Sequence, residues 1–275
     1  MARELARRGH SIILVARNEE KLARTKSLLE AEANVGEVMT VKIDLSDSSL
    51  ENYERARDQI DPDNRDIGIL INNAGTFPAK YMRFYRNDME FLRSIVNVNV
   101  LATVYLTRLI MPGMVERGRG LIINVSSLLG SIPAPYMSVY GPTKSFVTSF
   151  SRMLQLEYSG HPIEIINMTT GPVHTKPFKD NSLIERSGVL NPTPEDYAKS
   201  ALNAASTGIS SMSGYWFHGL TYYPALFLDW AGLIPILTKI NLMFGVRHAC
   251  VSPVMSRRKP KAQPDRETET TDQMI

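Results

Sequence analysis

Tyr140 and Lys144 stand four residues apart, and Ser127 precedes Tyr140 by thirteen. A phenol, an ammonium and a hydroxyl at this spacing can form a proton-transfer set. Residues i and i+4 of a helix share one face, so a helix starting at Tyr140 brings Lys144 one turn beneath the phenol. A cation there favours the phenolate and is expected to lower the tyrosine's pKa from about 10 toward neutrality. A tyrosine tuned in this way protonates a carbonyl oxygen as hydride reaches the carbon, or takes the proton in the reverse direction. Ser127 closes the apolar run GLIINVSS (120–127), where its hydroxyl could hold that oxygen. The Tyr–Lys spacing alone also fits an exposed helical pair, and the surrounding elements have to decide.

Apolar or β-branched runs at 11–16, 37–43, 66–73, 120–127 and 162–170 read as strands. Helical patterns fall between and after them, at 19–33, 50–60, 87–117 (interrupted near Pro112), 140–159 and 194–207. The opening MARELARRGH reads as the last turns of an amphipathic helix stopped at Gly9. Continuous apolar strands separated by helices predict an α/β fold, a doubly wound, Rossmann-like parallel sheet covered on both faces. Ligands of such sheets sit beyond the carboxyl ends of the strands. Ser127 ends one strand there, and NNAG (72–75) ends another. Asn73, Ala74 and Gly75 offer small side chains and amide groups that let a ligand approach the backbone closely.

With 275 residues, 43% of them hydrophobic, the chain can bury a full core, read here as one domain over 1–255. Net charge is +3 with a pI near 8.9, and the basic residues are scattered apart from RRKPK (257–261), so no nucleic-acid partner is expected. The single cysteine, Cys250, excludes an internal disulfide and disfavours a thiolate metal site, and no metal is expected. Residues 215–245 are rich in aromatics and leucine, but Pro224, Asp229, Pro235 and Lys239 interrupt them. A straight spanning helix fits poorly. The segment reads as an element lying on a membrane surface or as the lid of an apolar pocket, against an ordinary buried strand and helix at the sheet edge. Residues 256–275 read as a disordered polar tail.

Six signals follow in order: Asp44 after the run 37–43, NNAG (72–75), NVNV (97–100), Ser127, YGPTK (140–144) and TGPVHT (170–175). In this series the chain resembles the short-chain dehydrogenase/reductase family from Met1 to about His218. Through PGMVERGRG (112–120), RMLQLEY (152–158) and SGYWFH (213–218) it is most similar to the 17β-hydroxysteroid dehydrogenase and very-long-chain 3-oxoacyl-CoA reductase group, and to hydroxysteroid dehydrogenase-like proteins. The resemblance implies Tyr140 as acid/base, Lys144 as its electrostatic partner and a ribose ligand, Ser127 as donor to the carbonyl oxygen, and Asn99 as support for a proton relay. It also implies cofactor contacts from Asp44 at the adenine, from Asn73, Ala74 and Gly75, and from Val173 and Thr175 at the nicotinamide. A local cap in DLSDSS is the other reading of Asp44, and service to the helix backbone is that of Asn99. Thr170-Gly171 stands where the family usually has Pro-Gly. Arg17 follows the strand 11–16, where NAD-preferring members carry an acid. A guanidinium pairs instead with a 2′-phosphate, which favours NADP(H).

The resemblance further implies a strand and a glycine-rich turn ahead of residue 1. The sheet is therefore expected to lack its first strand and that turn, leaving two apolar strand edges unpaired. The expected activity is NADPH-dependent reduction of an apolar ketone, a steroid or a long-chain 3-oxoacyl-CoA, at the endoplasmic reticulum membrane. The alternative is a catalytically silent relative that binds a lipid or a protein partner, with mitochondrial or cytoplasmic placement as the other settings. Relatives commonly pair through helices near 90–117 and 140–159, so a homodimer is a further expectation.

Overall fold

The computed structural model describes residues 1–60, 65–79, 82–174 and 191–233. Thr175, the apolar segment beyond 233 and the polar tail lie outside them. Helix α1 (Ala2–Arg7) turns inward Ala2, Leu5 and Ala6, and Gly9, at φ 88°, reverses the chain into strand β1 (Ile12–Ala16). That left-handed conformation suits glycine because it has no Cβ to clash. Helix α2 (Glu19–Glu30) is capped by Asn18, whose side chain accepts from the Lys21 N–H, and leads to β2 (Val38–Lys42). Helix α3 (Leu50–Ile60) and β3 (Ile69–Asn72) follow.

One continuous helical stretch then comprises α4 (Met89–Val96), a wide π turn at Asn97–Leu101 and α5 (Ala102–Arg117). The expected interruption at Pro112 is not there, because α5 runs through Pro112 to Arg117. The irregularity lies earlier, in the π turn, whose extra residue breaks the i→i−4 ladder. Met89–Arg117 is long and apolar enough to cross a membrane, but 56% of its apolar window is buried inside the molecule, as befits a core helix. Strand β4 (Leu121–Ser127), helix α6 (Tyr140–Glu157), β5 (Glu164–Thr170), α7 (Pro194–Ala205), a two-residue β6 (Ser211–Met212) and α8 (Trp216–Trp230) complete the order. Residues 216–230 thus form a helix with one exposed face and His218 buried on the other.

Every strand pair is parallel, as expected for the α/β class. Strands β3, β4, β5 and β6 form one sheet in that order, and β1 with β2 forms another. Two cores cover the faces. One joins Leu5, Leu14, Leu22, Ile123, Met168 and Tyr197 under α1, α2 and α7. The other joins Val41, Tyr53, Leu106, Ile110, Ile122 and Ile165 under α3 and α5. Both cores run unbroken from the first sheet to the second.

The two sheets face each other across a slot of about 750 Å³ between β1 and β3. Leu5 of α1 roofs it, Ile110 of α5 floors it, and Ile13, Val15, Ile69 and Ile71 line its edges. Ile12 N–H donates to Glu37 O and Ile43 N–H to Ala16 O, so the even residues of β1 serve β2. Alternation turns the backbone of Ile13 and Val15 into the slot. Leu121 N–H donates to Gly68 O, which turns Ile69 the same way from the other side. These are the unpaired apolar edges the sequence led us to expect.

Candidate active site

Strand β4 and helix α6 bring the first set of residues together. Ser127 ends β4, Tyr140 opens α6, and the intervening loop lies directly on the first helical turn. A Cβ on Gly141 would sit 2.8 Å from Leu129 O, and one on Gly130 2.7 Å from the Lys144 carbonyl carbon, so only glycines allow this approach. The Ser127 hydroxyl is thereby brought to the Tyr140 phenol, close enough to favour its ionised form. Phe77 meets the Tyr140 ring edge-on, with centroids 4.8 Å apart.

Lys144 lies one turn further along α6. Its side chain is 5% exposed, and its Nζ donates to Val125 O at 3.0 Å and stands 6.0 Å from the Tyr140 ring centroid. Burial pushes the ammonium down to about 8. Tyr140 departs from expectation. Burial raises its pKa, and the Ser127 hydroxyl only partly offsets that, so the tyrosine is not tuned toward neutrality in this state. Burial outweighs every other influence on the phenol, and one ammonium hydrogen of Lys144 is committed to the β4 backbone at Val125 O.

The π turn places Asn99 at the same centre. Its Oδ1 accepts from Thr76 N–H at 2.7 Å, and its Nδ2 donates to Thr76 O at 3.1 Å and to Thr143 Oγ at 3.0 Å. Asn99 thus clasps the backbone just after Asn73, Ala74 and Gly75. A Cβ on Gly75 would come within 3.4 Å of Lys144 Nζ and 3.5 Å of Asn99 Oδ1. Gly75, Asn99 and Lys144 therefore share one spot beyond the end of β3. Beneath them Asn72 Nδ2 donates to Asn124 Oδ1 at 2.8 Å, and Asn124 Nδ2 to Ser151 Oγ at 3.0 Å, which pins β3 to β4 and β4 to α6.

Arg17 and Asp44 lie elsewhere, at the carboxyl ends of β1 and β2 across the slot. Arg17 is half-buried and immediately precedes the Asn18 cap. Asp44 Oδ1 accepts from the Ser46 N–H at 2.9 Å and the Ser46 hydroxyl at 2.7 Å, the geometry of a local cap. Val173 packs, half-buried, against the core under α7.

One residue of the site carries no functional reading in the sequence. His218 of α8 is 1% exposed; its Nδ1 accepts from Gly171 N–H at 3.2 Å and its Nε2 contacts Pro172 O at 3.0 Å. That contact makes Nε2 the protonated nitrogen, donating to the carbonyl. Burial lowers the imidazole's pKa, which keeps the ring neutral. A Cβ on Gly171 would meet the ring at 2.6 Å, so only glycine fits at 171 while His218 holds this position. The signal available was a histidine inside an aromatic run that otherwise reads as apolar.

Known proteins resemble this chain in sequence and in fold. The family described as short chain dehydrogenase matches residues 1–184. Very-long-chain 3-oxoacyl-CoA reductase-A of Danio rerio is 34% identical over 263 residues, covering 94% of this chain and 77% of that protein. Inactive hydroxysteroid dehydrogenase-like protein 1 of Pongo abelii is 34% identical over 231 residues, covering 83% of this chain and 68% of its own length. Among solved structures, a short-chain dehydrogenase from Sphingobium yanoikuyae in complex with NADPH matches with a TM-score of 0.67 at 26% identity, over 94% of this chain and 93% of that one.

Proposed function

We propose, from the premise that this chain belongs to the short-chain dehydrogenase family of oxidoreductases acting on CH–OH and C=O groups, that it reduces an apolar ketone with NADPH. A long-chain 3-oxoacyl thioester is the foremost substrate, in line with the reductases it resembles, and a steroid ketone is the second. The observation that carries the reading is the convergence of Ser127, Tyr140 and a buried Lys144, whose Nζ stands 6.0 Å from the Tyr140 ring centroid.

The residues present fit a nicotinamide nucleotide. Lys144 spends one ammonium hydrogen on Val125 O, which leaves others for a ribose diol. Gly75 leaves room beside that ammonium for a ligand. Asn73 and Ala74 flank this opening, Arg17 would meet a 2′-phosphate, Asp44 an adenine, and Val173 with Thr175 the nicotinamide amide. The bound nucleotide supplies the hydride. Ser127 holds the carbonyl oxygen, and Tyr140 gives it a proton. A phenol whose pKa burial has raised is protonated at neutral pH, the state reduction requires. Lys144, still mostly ammonium at pH 7, favours the phenolate that proton transfer leaves behind. Asn99 keeps the Gly75–Thr76 backbone in place and stands beside Lys144 for reprotonation.

Tyr140→Phe should lower turnover of a long-chain 3-oxoacyl-CoA by at least about 10²-fold while leaving NADPH affinity, read by nicotinamide fluorescence, nearly unchanged. Retained turnover would overturn the assignment. In the same titration NADPH should bind more tightly than NADH, and Arg17→Ala should remove the preference. A second reading, a silent protein that binds a lipid or a partner, is favoured by the 34% identity to the inactive relative. Absence of both nicotinamide binding and turnover would select it. The proposed setting is the endoplasmic reticulum surface. Exposed Phe146, Met153 and Leu156 on α6 support a homodimer, which sedimentation measures.

A further inference from the structure

Among the described residues His218 is the one fully buried histidine, and the proposed reaction gives it no part. Its ring bridges two consecutive residues, Nδ1 accepting from Gly171 N–H at 3.2 Å and Nε2 donating to Pro172 O at 3.0 Å. Both ring nitrogens are thus committed to the backbone just past the end of β5. The ring also lies against Gly171 itself, since a Cβ there would come within 2.9 Å of Cγ, Cδ2 and Nε2. The same helix reaches the loop after β4, where Tyr222 Oη donates to Ser131 Oγ at 3.0 Å. Helix α8 therefore straps the loops that leave β4 and β5, with His218 as its buried fastening. Val173, assigned to the nicotinamide, follows Pro172 directly.

The groups around the ring carry no charge. Tyr197 of α7 stands 5.9 Å away between ring centroids, and Tyr215, just ahead of α8, 5.2 Å away. Tyr197 is itself tied to Thr170 Oγ at 2.7 Å, and burial raises its pKa, so it stays a neutral phenol. His174 is the other imidazole of this loop, and Asp229 lies three turns further along α8. Burial accordingly favours the neutral form of His218, and the Pro172 carbonyl opposes it only in part. The clasp depends on that form. A neutral ring keeps a lone pair on Nδ1 for Gly171 N–H, whereas in the imidazolium both nitrogens are donors. A proton on Nδ1 faces the Gly171 proton, so this hydrogen bond is lost and an unpaired buried cation takes its place. The bond to Pro172 O survives.

We infer that His218 is a positioning residue: its neutral ring fixes the Gly171–Pro172 backbone, and with it Val173 on the nicotinamide side of the site, and its protonation releases them. The clasp stands on geometry alone, and only its effect on nucleotide binding rests on the reductase reading. A histidine that merely fills the core would change the melt and leave nucleotide affinity and its pH profile unmoved.

Two readouts on the 275-residue protein test this. The first follows the Gly171 amide resonance of isotope-labelled protein from about pH 7.5 to about pH 5, the range in which the ring gains its proton. The resonance should shift with one proton uptake in the parent and stay in place in His218→Asn, whose side-chain oxygen accepts from Gly171 N–H but has no proton to gain. The second measures NADP+ affinity over the same range by calorimetry. The parent should lose at least about fivefold more affinity than His218→Asn, the scale of one buried hydrogen bond. Ionisation of the nucleotide's own phosphate is common to both proteins and cancels in that comparison. His218→Phe keeps the ring but neither hydrogen bond, and should bind at least about tenfold more weakly than the parent at neutral pH. His218→Gln, which restores a donor for Pro172 O, should recover part of that loss, and His174→Gln should keep the parent's profile. An amide that does not titrate in the parent, or titrates alike in His218→Asn, would overturn the inference. So would parental affinity in His218→Phe together with a lowered melt, which would make the histidine structural only. If no nucleotide binds at any pH, the reductase reading fails and the amide titration alone decides the clasp. Should His218→Phe not fold, the parent and His218→Asn decide.

Discussion

The four-stranded and two-stranded parts of this molecule are built from the same kind of apolar parallel strand, yet only one of them is closed. In the first part β4 has a hydrogen-bonded neighbour on each side, and the buried chain Asn72–Asn124–Ser151 locks strand to strand and strand to helix. Ser127, Tyr140, Lys144 and Asn99 all stand on this part. In the second, β1 has β2 on one side and the slot on the other. What joins it to the rest is side-chain packing in the two shared cores, the Tyr53–Tyr105 ring contact among it, with the polar contacts Arg8 to Asn203 at 2.7 Å and Arg65 to Glu37 at 3.2 Å. Arg17 and Asp44 stand on this looser part. The residues assigned to proton transfer, and Asn73, Ala74 and Gly75 beside them, thus stand on one backbone-paired sheet, whereas Arg17 and Asp44 stand across the slot, held to it by side-chain packing.

Hydrogen exchange tests this difference at its widest. The amides of Ile13, Val15 and Ile69 face the slot, whereas those of Ile122 and Ile123 lie in a doubly paired strand. Slot amides should exchange on the order of 10³ times faster, since they need no opening of the sheet. Within β1 the rates should alternate, with Leu14 slow between fast Ile13 and Val15. Uniform protection across β1 would show that the slot is closed in solution and would erase the contrast.

Much of this was legible in advance, and for a physical reason. Strands buried on both faces leave continuous apolar runs, and those at 11–16, 37–43 and 120–127 each became a strand within a residue or so at either end. The helix starts at Glu19, Leu50, Tyr140 and Pro194 were equally plain. What escaped depends on three dimensions. Ser211 and Met212 form a strand only because β5 lies beside them. The π turn at Asn97–Leu101 has no residue signature as loud as Pro112, which drew the expected break to the wrong place. Lys144 was placed one turn below Tyr140, but its proton's direction is set by where Val125 O happens to lie. His218 was read as part of an apolar run because its two partners, Gly171 and Pro172, are backbone groups 46 and 47 positions away.

The closed part should also be the costlier one to damage. Asn124 is fully buried, and Asn124→Ala leaves Asn72 and Ser151 short of a partner, so unfolding free energy should fall by about 2–3 kcal/mol in a urea titration. A loss below about 0.5 kcal/mol would mean that the amide network does not hold the sheet together. Somewhat smaller is the effect of Lys144. Its folded pKa of about 8 lies below the unfolded 10.5, so between those values the unfolded chain binds a proton that the folded chain does not. Stability should therefore rise with pH across this window, by about 2 kcal/mol from pH 8 to 10, and the gain is lost as pH falls through 8. Tyr140 and the other buried tyrosines, with raised pKa values, oppose the trend above pH 10, so the comparison stops there. Lys144→Met should flatten the rise, and an unchanged slope would place its origin elsewhere.

The smallest effect is expected where the two parts touch. Tyr53 of α3 is 4% exposed, and its ring meets Tyr105 of α5 edge-on at 4.8 Å and 78°. Its hydroxyl is buried without a hydrogen-bond partner. The contact that bridges the slot is therefore apolar and aromatic, worth about 0.5–1.5 kcal/mol beyond area burial, and it is carried by the ring alone. Tyr53→Phe keeps the ring and removes an unsatisfied polar atom, so stability should stay the same or rise by up to about 1 kcal/mol. Tyr53→Ala should lose the ring contact and speed exchange at Ile13 and Val15 while leaving Ile122 and Ile123 unmoved. If Tyr53→Phe instead costs more than about 1 kcal/mol, the hydroxyl has a partner in solution. The Tyr53 hydroxyl would then add a buried polar link to the exposed ones of Arg8 and Arg65, and Arg17 and Asp44 would be held almost as firmly as the catalytic residues.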